Sequence, residues 1–115
     1  MRVLGKSGGF DSDIVAGMLW AAGIAVPGVG VNANPARVLN MSLGGSGTCD
    51  ANGGAQPYVD AMTQITAAGA VVVAAAGNSE GMAVGVPANC PGVIGVAGLR
   101  HIGTKVGFSD LGPQI

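Results

Sequence analysis

Two kinds of apolar spacing alternate along this chain. Short, nearly unbroken apolar runs occur at Val3-Leu4, Val38-Leu39-Met41, Val71 to Ala76, Val93 to Ala97 and Val106-Phe108. Between the first three, apolar residues recur at helical spacing: Ile14, Val15, Met18, Leu19 and Ala22, then Val59, Met62 and Ile65 with Thr66 beside them. The runs predict strands and the spaced sets predict amphipathic helices. Val71-Val72-Val73 runs into Ala74-Ala75-Ala76 without polar alternation, which predicts a strand buried on both faces.

Boundaries follow from local chemistry. Asp11 or Ser12 can cap a helix from Ser12 to Ala22, ended by Gly23, and both Asp11 and Asp13 suit its positive end. Residues 25–36 are rich in Gly, Pro and Asn and predict an irregular connection. Strands are expected over Arg2–Leu4, Arg37–Ser42, from Val71, over Val93–Ala97 and over Lys105–Ser109. A second helix is expected from Gln56 to Ala68, with Pro57 in its first turn and Gly69 stopping it. The order is strand, helix, strand, helix, then three strands. It predicts an α/β fold with a mostly parallel, doubly wound sheet in three layers, represented here in part.

In such a sheet, ligands sit beyond the carboxyl ends of the strands. Two ends look built for this. After Met41 comes Ser42-Leu43-Gly44-Gly45. After the valine run comes Ala75-Ala76-Gly77-Asn78-Ser79. Both are almost bare backbone, which leaves room for something to pass closely.

Composition narrows the functional classes. The chain has 115 residues, enough for one core. Only 10% are charged and the net charge is −1, so nothing supplies the phosphate neutralisation that nucleic-acid binding needs. No apolar run reaches the length of a membrane span. Cys49 and Cys90 lie among turn residues and are too few for a metal site. A disulfide between them is expected, which would indicate an oxidising compartment; two free thiols are the alternative. Gly5-Lys6-Ser7 lacks the upstream glycine of a phosphate loop, and no Gly-x-Gly-x-x-Gly follows the first strand to suit a dinucleotide. The sequon at Asn40 falls on a predicted buried strand.

Asn40-Met41-Ser42-Leu43-Gly44-Gly45 and Ala75-Ala76-Gly77-Asn78-Ser79 together closely resemble the subtilisin-like serine proteases. So do the helix Ile14 to Ala21, the segment Pro87 to Val96, and Phe108-Ser109-Asp110-Leu111-Gly112-Pro113. The resemblance spans nearly the whole chain. It implies that Asn78 is the oxyanion-hole asparagine. It implies that Ser42, Leu43 and Gly44 form one wall of the primary specificity pocket, and Ala75, Ala76 and Gly77 the other. Gly8 and Gly9 would lie on the edge that pairs with substrate backbone. Leu43 and Ile14 would line a more distant apolar subsite.

The family's catalytic aspartate, histidine and serine motifs do not occur here. The only histidine, His101, stands in Arg100-His101-Ile102-Gly103, which is not a His-Gly-Thr context. The resemblance therefore implies a single partial catalytic domain over residues 1–115, taken from a secreted endopeptidase that acts on peptides or proteins. It requires no cofactor. Calcium would be compatible with the complete protease, with Asp11, Asp13 and the carbonyls near Ala88 and Cys90 as candidate oxygens. A non-catalytic peptide-binding module is the alternative. Two helices for about five strands would leave apolar faces that favour self-association.

Overall fold

The computed structural model describes residues 1–50, 52 and 54–115. Strands β1 (Val38–Met41), β2 (Val71–Ala75) and β3 (Val93–Val96) form a parallel sheet in that order. Val38 pairs with Val71, and Val72 in turn with Val93. Helix α1 (Asp11–Ala21) precedes β1, and α2 (Gln56–Ala67) connects β1 to β2. The α/β reading with a parallel sheet holds. This chain contributes the sheet and one helical layer.

Both helices pack against one face of the sheet. Ile14 and Met18 of α1 join Tyr58, Ala61, Met62 and Ile65 of α2 over Leu39, Met41, Val72 and Ala74. Burial alternates along the strands, so the valine run is buried on one face only. Val38 and Val71 point to the other face and are 60% and 42% exposed. No described element covers that face, and the continuous apolar run could not reveal this. On α2, Thr66 is exposed, and Tyr58 and Ala61 take core positions that the predicted spacing did not include.

The stop signals act as expected. Gly23 and Gly69 adopt positive φ just past the helices. There the Ile24 N–H donates to the Leu19 carbonyl and the Ala70 N–H to the Ile65 carbonyl. The irregular residues 25–36 fold back onto α1. Trp20 Nε1 donates to the Gly30 carbonyl at 2.7 Å, and Asn32 Nδ2 to the Trp20 carbonyl at 3.1 Å.

Three further expectations fail. No side chain caps α1: Phe10 holds the N-cap position, and the Asp11 carboxylate instead accepts from the Tyr58 hydroxyl at 2.8 Å. That bond ties α1 to α2 and, with burial as the larger cause, pushes the Tyr58 phenol well above its usual pKa. Residues 2–4 form no strand: among the described residues no strand pairs with them, and Val3 instead lies close against Gly17 of α1. Residues 105–109 form no strand either. Lys105 Nζ donates to the carbonyls of Val106, Gly107 and Ser109 at 2.9–3.0 Å, which coils the segment around one ammonium group.

Candidate active site

Beyond the carboxyl ends of β1 and β2 lies a cavity of about 600 Å³. Three segments and Asp110 line it: residues 42–48 after β1, 75–79 at the end of β2, and 82–86 of the following loop. Seven residues singled out in the sequence meet there: Ser42, Leu43, Gly44, Ala75, Ala76, Gly77 and Asn78. Gly8 and Gly9 are not among its lining. They belong to an exposed turn in which the Gly5 N–H donates to the Gly8 carbonyl at 2.8 Å.

The first wall is bare backbone held from behind. The Gly45 N–H donates to the Val86 carbonyl at 2.8 Å. At Gly85, a Cβ would overlap the Gly45 carbonyl oxygen, so the close approach of these two segments requires a residue without one. Asn89 Nδ2 donates to the Gly47 carbonyl at 2.8 Å and equally to the Val84 carbonyl. Cys49 and Cys90 form a disulfide that ties the same two segments further on. On the inner side, Ser42 Oγ accepts from Asn40 Nδ2 at 3.3 Å.

The second wall continues β2. The Ala76 N–H still donates to the Val96 carbonyl at 2.9 Å, after which Gly77 turns the chain with φ +118°. Few residues other than glycine tolerate that conformation, and a Cβ there would also overlap the Asp110 carboxylate. The turn leaves Asn78 exposed on the cavity lining. Among the described residues its carboxamide has no hydrogen-bond partner, so its N–H donors are free to meet a ligand.

Sequence reasoning missed two parts of this site. The 83–86 segment reads as an ordinary loop, although a glycine between valines in Val84-Gly85-Val86 was a signal of close backbone approach. Asp110 stood in a segment noted only for its resemblance. It is 3% exposed, and its carboxylate accepts from the Ser79 N–H at 2.8 Å and the Met82 N–H at 3.1 Å.

A second, smaller cavity of about 210 Å³ lies between α1 and β1. Ile14 and Leu43 both line it. His101 lies on an exposed turn and belongs to neither cavity. Among the described residues, no three His, Cys, Asp or Glu side chains gather as a metal site would need. No described helix is long and apolar enough to cross a membrane.

The molecule is thus a parallel α/β sheet with a glycine-walled cleft at its carboxyl edge. The subtilase family model matches residues 1–115, and the chain belongs to that family. It is 44% identical over 116 residues to an extracellular protease of Xanthomonas campestris pv. campestris, covering all of this chain and 19% of that protein. It is also 44% identical over 116 residues to an extracellular basic protease of Dichelobacter nodosus, covering 18% of it. A solved protease structure from Pseudoalteromonas arctica superposes with a TM-score of 0.89 at 43% identity, over 99% of this chain and 32% of that one. The chain thus spans about a fifth of the length of these two extracellular proteases.

Proposed function

We propose that this chain is the substrate-binding centre of a secreted subtilase that cleaves peptide bonds through a serine acyl-enzyme. The observation that carries the reading is the free Asn78 carboxamide on a cavity walled by Ser42–Gly44 and Ala75–Gly77. When a peptide carbonyl becomes tetrahedral, its oxygen gains negative charge. A fixed amide donor stabilises that charge more than it stabilises the ground-state carbonyl, which lowers the barrier. Asn78 supplies one donor, and the catalytic serine segment of the complete protease supplies the second.

The walls act on the residue before the scissile bond. An extended substrate lays its side chain between two backbones, and small residues on both sides admit a large apolar group. The cavity between α1 and β1, with Ile14 and Leu43, takes an apolar side chain further along the substrate. Gly8 and Gly9 offer an exposed backbone edge to the same peptide. The disulfide and the extracellular relatives support secretion.

The test is Asn78→Ala in the complete protease. A loss of about 10²–10³ in kcat with little change in KM is expected, a magnitude known for this donor in a subtilisin. An unchanged kcat would remove Asn78 from the chemistry.

A further inference from the structure

Asn78 needs a fixed backbone to be of use, and one buried side chain lining the same cavity bonds to the backbone beside it. We propose that Asp110 is a positioning residue for Asn78, acting through the backbone on both sides of it. This rests on the reading of Asn78 as an oxyanion donor.

The contacts bracket the asparagine. Before it, the Gly77 carbonyl accepts from the Asp110 backbone N–H at 3.1 Å. After it, the Ser79 N–H donates to Asp110 Oδ1 at 2.8 Å, and the Met82 N–H donates to the same oxygen at 3.1 Å. The carboxylate also packs against Gly77 closely enough to exclude a Cβ there. The loop it holds is not one the chain would adopt unaided, because Glu80 takes φ +61° without being a glycine. Two further bonds join the same partners: Glu80 N–H to the Phe108 carbonyl at 3.0 Å, and Leu111 N–H to the Met82 carbonyl at 3.1 Å. Asp110 is held in its turn. Lys105 Nζ gathers the carbonyls of the three residues Val106, Gly107 and Ser109, and the Ser109 hydroxyl donates to the Asp110 carbonyl at 3.3 Å.

A carboxylate suits this position better than a neutral acceptor. Bonds from backbone N–H groups to an ionised oxygen are about twice as strong as neutral ones. Among the described residues no cation pairs with Asp110, and its carboxylate accepts from the Ser79 and Met82 amides. Removing it would leave two amide donors unpaired and free the residues on either side of Asn78. A misplacement of about 1 Å in a catalytic donor costs on the order of 100-fold in rate.

The experiment is a double-mutant cycle on kcat in the complete protease, with Asn78→Ala, Asp110→Ala and the double variant. Asp110→Ala should lower kcat by about 10- to 100-fold and change KM by less than about threefold. In the Asn78→Ala background it should cost less than about twofold more, because the donor it positions is gone. Asp110→Asn, which keeps one acceptor oxygen, should recover most of the loss. If Asp110→Ala does not accumulate as folded protein, Asp110→Glu replaces it in the cycle: the acceptor moves by about one bond length, and kcat should fall only where Asn78 is present. An equal loss in both backgrounds would overturn the proposal while leaving Asn78 its role. An unchanged kcat in Asn78→Ala would overturn the reading of Asn78, and this one with it.

Discussion

The two faces of the sheet carry nearly the same residues and have opposite fates. Leu39, Met41, Val72 and Ala74 lie under α1 and α2, each no more than 7% exposed. Val38, Val71, Ile94 and Val96, on the opposite face of the same sheet, are 42–60% exposed. Side-chain type does not distinguish the faces; what packs on them does. Burial is therefore a property of the helices that the chain brings to the sheet. The cleft belongs to neither face. It lies at the carboxyl edge, where the loops leave the strands, and those loops are held by bonds among themselves.

The largest effect should come from the disulfide, whose Cys90 joins the covered core while Cys49 anchors the first cavity wall. The two cysteines are 41 residues apart, and loop entropy assigns such a cross-link about 4 kcal/mol. The double variant Cys49→Ser/Cys90→Ser should lose about that much by urea denaturation.

Next comes Ile65→Ala. Ile65 is fully buried beneath α2, and its truncation should cost about 3 kcal/mol, combining lost transfer energy with a residual cavity. A cost near zero would mean that the covered face is not packed.

Neighbouring residues of β2 compare the faces most cleanly. Val72→Thr puts a hydroxyl into the core and should cost about 2 kcal/mol. Val71→Thr puts the same group on the open face and should stay within about 0.5 kcal/mol. Equal costs would show that the open face is covered in solution.

The smallest effect concerns the Tyr58–Asp11 bond between the helices. Tyr58→Phe should cost about 1 kcal/mol near neutral pH. The wild-type phenol resists ionisation in the folded chain. Its contribution is therefore fully present below the unfolded tyrosine pKa of about 10 and is lost as pH rises beyond it. Stability measured from pH 8 to 12 should fall in the wild type, and less steeply in Tyr58→Phe.

The sequence carried the fold where period and punctuation agreed. Ile14 and Met18 mark the buried stripe of α1, and Gly23 and Gly69 mark where the helices stop. It misled where a partner decided the outcome. An extended run such as 2–4 becomes a strand only beside another strand. Lys105 turns its own segment into a coil through three carbonyls that no pattern of apolar residues encodes. The cleft was legible because bare backbone at a strand end is visible as Gly and Ala. Asp110 was not, because a lone aspartate looks like surface until its amide partners, 28 and 31 residues away, are known.

In the proposed function, this chain supplies substrate walls and one oxyanion donor, while the nucleophile comes from elsewhere in the complete protease. Incubating the isolated chain with a fluorophosphonate probe and a chromogenic peptide tests it directly. The expected result is neither covalent labelling nor turnover. A labelled serine mapped to this chain, with turnover that tracks its concentration, would contradict this division of roles.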